Sequence, residues 1–303
     1  MDARETALLA LNACERQGGW SDGALKKQIS AAGLDSRDAA LATQLCAGVL
    51  QNQMLLDFYL AHFSNIPLKR MEGRVVQALR LGAYQMLFLD RIPHSAAVNR
   101  SVELTRAYCK NPRAAGMVNG ILRNLIRARD AGELPEIDDP AVRYSVAPEL
   151  AKRLIAAYGE EEAVAIMADR PRPSQTIRFN AMKTDAAGFE NYLKTHDVIF
   201  ERGLVPGAYR CPAAGNLARL DGFRNGYFSI QGESSMLAAL AVEPKPGMNV
   251  LDACAAPGGK SALIAETMAD VGRVYAWDVH EHRVELIRAT KQRLKLDSLR
   301  PAV

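Results

Sequence analysis

The sequence predicts a multi-domain protein: an all-α N-terminal domain, a small α+β module, and the beginning of an α/β domain of Rossmann type. Three observations lead to this fold class. Apolar residues recur at helical spacing through the first 130 residues, with no alternating strand pattern. The pattern changes to short strands and helices near Thr176, and from Gly247 it becomes strand, glycine-rich loop, helix, strand and helix.

The N-terminal domain, residues 1–130, is predicted to consist of successive helices. In the first of them Ala7, Leu8, Leu11 and Cys14 fall on one face. Prolines, which break helices, separate the later segments. The predicted helices are Ala3–Gln17, 38–63, 75–89, 97–109 and 115–129, and the prolines between them are Pro67, Pro93 and Pro112.

The acidic stretch AGELPEIDDP at 131–140 contains two prolines and predicts a linker, which we place at residues 131–145. The α+β module is predicted at residues 146–240. Its predicted helices are Pro148–Tyr158, Glu160–Ala168, Ala186–Thr195 and 234–241, and its short strands are 176–180, 198–201, the segment around Tyr209, and 227–230.

The α/β domain is predicted at residues 241–303. Apolar strands at 248–252 and 273–278 are each followed by a helix, and the second helix is predicted at 281–296. Two parallel strands are too few for a stable open sheet with helices on its faces. We therefore expect that this Rossmann-like domain is incomplete.

Composition narrows the functional classes only slightly. The 303 residues include 38 Lys and Arg against 34 Asp and Glu, a net charge of +4 that is compatible with nucleic acid. The five cysteines form no Cys-x-x-Cys pair and histidine is scarce, so we expect no metal site. The sequence shows neither a secretory signal nor an apolar run of about 20 residues, so we expect a cytoplasmic protein without a membrane partner.

The most specific feature is the segment VLDACAAPGGK at 250–260. A predicted strand ends at Asp252, the loop turns on Gly258 and Gly259, and a helix follows. Glycines let a ligand approach the backbone, and a helix N-terminus presents free amides. Asp278 ends the next strand, 20 residues after Gly258, and an acidic residue at that distance suits hydrogen bonding to ribose hydroxyls.

Three interpretations of this segment compete. The first is a tight strand-to-helix turn without a ligand. The second is a phosphate-binding P-loop, because Gly259, Lys260 and Ser261 match the end of that motif. Cys254, however, stands where the first glycine of the motif is required, and Pro257 lacks an amide for phosphate. The third, which we favour, is a nucleoside cofactor without phosphates, namely S-adenosylmethionine.

The run DACAAPGGK at 252–260 resembles the cofactor motif of the RNA cytosine-5 methyltransferases, and QGESS at 231–235 and RFN at 178–180 are also similar to that family. The segments AVNRSVELTRAYCKN and GMVNGILRNLIR resemble the antitermination factor NusB. A NusB-like domain followed by this core is the arrangement of the bacterial RsmB, Sun or Fmu family of ribosomal RNA cytosine-5 methyltransferases. The resemblance covers nearly the whole chain.

The resemblance implies a partial Rossmann-like methyltransferase core that uses S-adenosylmethionine to methylate carbon 5 of a cytosine in small-subunit (16S) ribosomal RNA. It implies that the loop wraps the cofactor largely through its backbone and that Asp278 holds the ribose. Arg283 matches a commonly basic position of the family, and a direct role and a solvated charge stay equally open. The loop residues so assigned are Cys254, Ala255, Ala256, Pro257, Gly258, Gly259 and Lys260.

In this family a cysteine thiolate adds to carbon 6 of cytosine, which makes carbon 5 nucleophilic enough to take the methyl group. The family's catalytic cysteines follow Pro or Thr, well downstream of the second Rossmann helix, and no cysteine here does so. Cys211 precedes Pro212 and is predicted to be structural, and Cys254 is predicted to be a small packed residue. We therefore expect that the nucleophile lies beyond Val303 and that this chain alone does not methylate RNA.

Residues 100–129 carry seven basic side chains against one acid, Glu103. On helices this bias predicts a basic face for RNA phosphates, with a solvated helix surface as the alternative. We expect RNA contacts from Arg123 and Arg127 on this face and from Arg178 in the RFN strand. The expected partner is small-subunit ribosomal RNA, unassembled or partly assembled, and the expected state is a monomer. The seven residues are Arg100, Arg106, Lys110, Arg113, Arg123, Arg127 and Arg129.

Two rival functions stay open. A non-catalytic RNA-binding regulator would use the helical domain as its working part. A P-loop nucleotidase would bind ATP through its phosphates, and binding of S-adenosylmethionine would exclude it.

Overall fold

The computed structural model describes residues 1–17, 21–111, 113–169, 174–212 and 217–303. The chain forms two compact units, Met1–Asp169 and Arg170–Val303. The first unit is helical and the second combines helices with two sheets, which confirms the predicted fold class. Pro112, predicted to separate two helices, lies outside the described residues.

Helices account for all the regular structure in the described part of the first unit, and a 3-10 turn at Leu68–Arg70 follows Pro67. The fixed φ angle of proline suits the beginning of a helix, and Pro93 directly precedes the helix His94–Tyr108. The helices are α1 Ala3–Gln17, α2 Ser21–Ala32, α3 Ser36–Gln51, α4 Gln53–His62, α5 Gly73–Phe88, α6 His94–Tyr108, α7 Ala114–Ala131, α8 Pro140–Arg143, α9 Pro148–Tyr158 and α10 Glu160–Ala168.

Helix α5 is the centre of the first unit, and every residue from Val75 to Met86 is buried. Gly82 permits the close approach of its neighbours, because a Cβ there would lie 2.6 Å from Leu122 Cδ1 of α7. Arg80 is also buried, and its Nε and Nη2 atoms each lie 2.7 Å from a carboxylate oxygen of Asp57 on α4. This two-pronged pair satisfies a charge that would otherwise be costly to bury.

Two features of the helical unit differ from the sequence prediction. Helix α2 was not predicted, because its sequence SDGALKKQISAA has few apolar residues at helical spacing. The single helix predicted over 38–63 is divided at Asn52, which ends α3 and precedes α4. The backbone N–H and side-chain Nδ2 of Asn52 both donate to the carbonyl of Gly48, at 3.1 and 2.8 Å, and so satisfy the end of α3.

The boundary between the units also differs from the prediction. Helices α9 and α10 belong to the first unit, whereas the sequence analysis placed them in a module beginning at residue 146. The predicted linker 131–145 contains α8, and Ser145 Oγ accepts a 3.1 Å hydrogen bond from Leu55 N of α4. Apolar residues of α8, α9 and α10 pack together and hold this segment to the helical unit. They are Ala141, Ala151, Ala163 and Met167.

The second unit begins with a four-stranded antiparallel sheet in the order β2-β3-β1-β4. Its core centres on Phe189, which is fully buried and whose ring lies 5.3 Å from that of Tyr209 and 5.8 Å from that of Phe228. A 3-10 turn lies at Leu217–Arg219. The elements are β1 Ser174–Phe179, α11 Ala186–Thr195, β2 Glu201–Arg202, β3 Ala208–Pro212, α12 Asp221–Arg224, β4 Phe228–Ile230 and α13 Glu233–Leu240.

Glu233, the first residue of α13, fastens this helix to the sheet. Its carboxylate accepts hydrogen bonds from Arg210 Nε at 2.6 Å, Leu204 N at 2.8 Å and Val205 N at 3.2 Å. The hydrogen bond from Arg210, assisted by the two amides, lowers the pKa of the Glu233 carboxyl below its ordinary value. The carboxylate therefore stays ionised into mildly acidic solution.

The remainder of the second unit is a parallel sheet in the order β5-β6-β7. The prediction of two strands was wrong, because Leu299–Ala302 forms a third. Helices α14 and α15 pack against Val274, Ala276 and Leu299, whereas Leu251 and Trp277 on the other face are 55% and 43% exposed. The elements are β5 Asn249–Asp252, α14 Gly259–Thr267, β6 Arg273–Trp277, α15 Glu281–Leu294 and β7 Leu299–Ala302.

None of the described helices has both the length and the apolar character that a membrane crossing requires. Among the described residues, no three His, Cys, Asp or Glu side chains come together in a way that would suit a metal ion.

Candidate cofactor site

The loop between β5 and α14 lies at the carboxyl edge of the parallel sheet. Because Asp252 pairs with Ala276 in the register of β5 and β6, the residues after both strands emerge side by side. Ala255 N donates to the carbonyl of Trp277 at 2.8 Å, and Ala256 N lies 3.3 Å from Asp278 Oδ2. The structure therefore brings Asp278 directly against the predicted loop, at the edge where parallel α/β sheets bind ligands.

Gly258 turns the chain from the loop into α14. Its φ angle of 102° lies in the region that residues with a side chain rarely adopt, and a Cβ there would lie 3.4 Å from both Ile287 Cα and Thr290 Cβ of α15. Thr290 Oγ1 donates a 3.0 Å hydrogen bond to the carbonyl of Pro257. The loop is thus held between its own strand and α15 before any ligand binds.

Most amides of the loop already have acceptors within the protein. Cys254 N donates to Asp252 Oδ1 at 3.3 Å, and Gly258 N donates to the carbonyl of Ala255 at 2.7 Å. Ala255 N and Ala256 N are engaged by Trp277 and Asp278, and proline has no N–H. A phosphate cradle needs a row of loop amides aimed at the anion, so this loop is poorly suited to phosphate.

Ser261 also argues against the P-loop interpretation. In such a loop the hydroxyl of this residue ligates Mg²⁺, but here Ser261 is fully buried. Its Oγ donates a 2.7 Å hydrogen bond to Asp252 Oδ2, which ties the first turn of α14 to the end of β5. Lys260, beside it, is half-buried. The arrangement favours a nucleoside ligand without phosphates.

Asp278 is the buried acid of the site. Its carboxylate is approached by Ala256 N, by His280 N at 3.4 Å and by Arg283 Nη1 at 3.9 Å. Such a carboxylate at the end of the second strand can accept hydrogen bonds from vicinal hydroxyls. Arg283 is therefore an ion-pair partner of Asp278, and the ribose contact of Asp278 stays a prediction.

The cysteines divide into one exposed thiol and four that are more enclosed. Cys254 is exposed on the loop, so the prediction of a packed residue was wrong. Cys211 is buried in β3, which agrees with a structural role, and burial raises the pKa of its thiol to about 11. Burial raises the pKa of Cys46 to about 12 and, as the main cause, that of Cys109 to about 11. The pKa of Cys14, half-buried on α1, is also raised by burial.

Arg178, expected to contact RNA, does not reach the surface. It is 2% exposed, and its Nε donates to Gln231 Oε1 at 2.9 Å. Its Nη1 and Nη2 atoms both contact the carboxylate of Glu266 on α14. Because all three nitrogens are engaged inside the second unit, the RNA assignment of Arg178 was wrong.

Arg123 and Arg127 are exposed one turn apart on α7, as the sequence predicts. Arg123 Nε donates a 2.9 Å hydrogen bond to Asn119 Oδ1 on the same helix. Both guanidinium groups are placed to meet an anion in solution, and contact with RNA stays a prediction. Glu266 and Thr290 were not predicted from the sequence, because neither belongs to a recognisable motif. Glu266 contacts Arg178 of β1, and Thr290 contacts Pro257 of the loop.

Comparison with known proteins places these features in one family. Residues 1–127 match the NusB family, and residues 239–301 match the family described as 16S rRNA methyltransferase RsmB/F. The crystal structure of PH0851 is similar in fold, with a TM-score of 0.76, 20% sequence identity, and coverage of 100% of this chain and 69% of that one.

Named relatives extend the match over almost the whole chain. The probable ribosomal RNA small subunit methyltransferase B of Bacillus subtilis is 40% identical over 299 residues, which cover 97% of this chain and 66% of the relative. That of Synechocystis is 30% identical over 307 residues, which cover 99% of this chain and 68% of the relative. The chain thus spans about two thirds of the length of these relatives. It belongs to the ribosomal RNA small subunit methyltransferase B family.

Proposed function

We propose that the loop 254–260 and Asp278 bind S-adenosylmethionine and that the chain serves the methylation of carbon 5 of a cytosine in small-subunit ribosomal RNA. The observation that carries this proposal is the loop itself. The amides of Cys254, Ala255, Ala256 and Gly258 have acceptors within the protein, and a buried carboxylate lies beside the loop at the strand ends. A site of that kind recognises a ribose and excludes a polyphosphate.

When bound, S-adenosylmethionine supplies an electrophilic methyl group. The residues of this chain would hold the cofactor and fix its direction: Asp278 accepts the ribose hydroxyls, and Gly258 and Gly259 let the backbone come close. Cys254, which is exposed, is the first residue of this loop, and Lys260, which is half-buried, is the last. The Asp278 carboxylate also accepts hydrogen bonds from Ala256 N and His280 N, so the position of the proposed ribose acceptor is coupled to that of the loop.

The cytosine needs a thiolate that adds to carbon 6 before carbon 5 can attack a methyl group. Such a thiolate requires a lowered pKa and access to the base. Cys46, Cys109 and Cys211 are buried with raised pKa values, and Cys254 belongs to the cofactor loop. We therefore propose that none of these four cysteines is the nucleophile of the reaction.

The helical unit is proposed to bind the small-subunit ribosomal RNA. Two facts support this: the match of residues 1–127 to the NusB family and the exposed pair Arg123 and Arg127 on α7. Arginine at such positions neutralises phosphates and releases counterions from the RNA. A monomeric cytoplasmic protein acting on unassembled or partly assembled RNA is the corresponding proposal for its state and partner.

Binding of the cofactor is tested with the purified chain by isothermal titration calorimetry. We expect S-adenosylmethionine and S-adenosylhomocysteine to bind, and ATP to give no heat. The exposed thiol of Cys254 provides a second readout, because a ligand on the loop should slow its alkylation by N-ethylmaleimide. Cys14, in the helical unit, is the internal control, and its alkylation rate should not change. Binding of ATP without binding of S-adenosylmethionine would overturn the proposal.

A further inference from the structure

Arg178 and Glu266 form a buried ion pair that links the antiparallel sheet to helix α14. Arg178 lies in β1 and Glu266 in the last full turn of α14, and their side chains are 3% and 4% exposed. Withdrawing two charges from water is costly, and such pairs often add little to stability compared with apolar residues of the same size. Their benefit is more often geometric, because a buried pair tolerates only one arrangement of its partners.

The guanidinium of Arg178 has two partners that lie at opposite ends of α14. Its Nη atoms contact Glu266 near the end of the helix, and its Nε holds Gln231 at 2.9 Å. The Gln231 side chain packs against the start of the helix, where a Cβ on Gly259 would lie 3.8 Å from Gln231 Cδ. Gly259 is the first residue of α14 and directly follows the turn at Gly258.

The position of the Gln231 side-chain amide depends mainly on Arg178. Its backbone N–H donates to the carbonyl of Thr176 in β1 at 3.0 Å, so its Cα is fixed to the sheet. Its side-chain Nε2 has a longer contact of 3.3 Å with Ser235 Oγ. The shorter bond to Arg178 is therefore the main restraint on the side-chain amide that lies against Gly259.

We propose that Arg178 is a positioning residue for the cofactor loop. It fixes Gln231 against the first residue of α14 and Glu266 near the last, and so sets the placement of the helix whose N-terminus closes the loop. This inference rests on the proposed cofactor function. It also gives the RFN segment at 178–180 a role within the second unit in place of an RNA contact.

Arg178→Lys separates positioning from charge neutralisation. Lysine keeps a positive charge for Glu266, but it has no second donor in the fork geometry that also holds Gln231. We expect the variant to stay folded by circular dichroism and to bind S-adenosylhomocysteine about tenfold more weakly by calorimetry. Gln231→Ala leaves the ion pair intact and should show a similar loss of affinity, which provides a second test if Arg178→Lys does not fold.

Asn180→Ala is the matched control from the same segment. Asn180 is also buried, and among the described residues its side chain has hydrogen bonds with Gly226 O at 3.1 Å and Met182 N at 2.9 Å, neither of which lies on α14. This variant should lower the melting temperature yet leave the affinity within about twofold of the wild type. Wild-type affinity in both Arg178→Lys and Gln231→Ala, or in Gln231→Ala alone where the lysine variant is unfolded, would overturn the positioning role. Absence of binding in the wild type would instead overturn the cofactor function and this inference with it.

Discussion

Replacing Gly258 with alanine tests the geometry of the loop most directly. The φ angle of 102° forces a side-chain residue into a strained conformation, which costs roughly 1–3 kcal/mol. The new Cβ would lie 3.4 Å from both Ile287 Cα and Thr290 Cβ, which is van der Waals contact, so the cost arises from the backbone angle. Alanine lowers the entropy of the unfolded chain and recovers about 0.5–1 kcal/mol. We expect a net destabilisation of about 1 kcal/mol.

The assay is thermal unfolding followed by the fluorescence of Trp277, which lies in β6 of the same unit. A Trp20→Phe background removes the other tryptophan of the chain, so that the signal reports the second unit. For a unit of this size, about 1 kcal/mol corresponds to a decrease of roughly 4 °C in the melting temperature. The affinity for S-adenosylhomocysteine should fall as well, because the turn presents the loop to the ligand.

Gly232→Ala is the control for this experiment. Gly232 precedes α13 with a φ angle of −71°, and a Cβ there would meet no atom within 4 Å. The control should therefore change the melting temperature by only about 2 °C. If Gly258→Ala melted together with this control and bound the ligand as the wild type does, the strained turn would not be what shapes the site.

Two further predictions concern charge. In filter-binding assays, the double variant Arg123→Glu and Arg127→Glu should reduce the slope of log affinity for RNA against log salt concentration by about two or more. The same charge change at the exposed Lys152 and Arg153 of α9 is the control and should leave this slope nearly unchanged. Equal slopes in both double variants would refute RNA docking on α7. Because the folded-state pKa of Glu233 is lowered, the stability it contributes is present above its ordinary pKa of 4.5 and is lost as the pH falls through the folded value. Glu233→Gln should therefore melt below the wild type at pH 7, and the gap should close in titrations below about pH 4.5; a gap independent of pH would contradict the ion-pair account.

Local sequence signals predicted much of this fold. Helices α1, α9, α10 and α11 have the predicted bounds, because proline, glycine or an aspartate cap marks their ends. Strand β7 has no such signal. Its sequence Leu-Arg-Pro-Ala has low strand propensity, and it forms through the parallel register with β6, in which Val274 pairs with Leu299. That pairing depends on the tertiary fold and is invisible in a four-residue window.

The cofactor loop was predictable for a different reason from the residues that support it. Its glycines and Asp278 have a spacing that reflects one strand–loop–helix unit, so the relevant residues lie close in sequence. Arg178 and Glu266 are separated by 88 positions, and neither residue type reveals in the sequence that it will be buried. Arg178 of the RFN segment was therefore predicted to contact RNA at the surface, whereas the structure shows it buried.

The same reasoning sharpens the interpretation of the helical unit. The basic bias of residues 100–129 counts only acids within that stretch, yet Asp2 and Glu5, at the N-terminus of the chain, lie 2.9 and 3.7 Å from Arg100. That guanidinium is neutralised within the fold and contributes little to a field at the surface. Arg123 and Arg127 have no acidic partner among the described residues, so their charges stay available to an anion. The excess of basic residues counted along the sequence thus overstates the charge that is free at the surface, because it includes Arg100, which is paired within the fold.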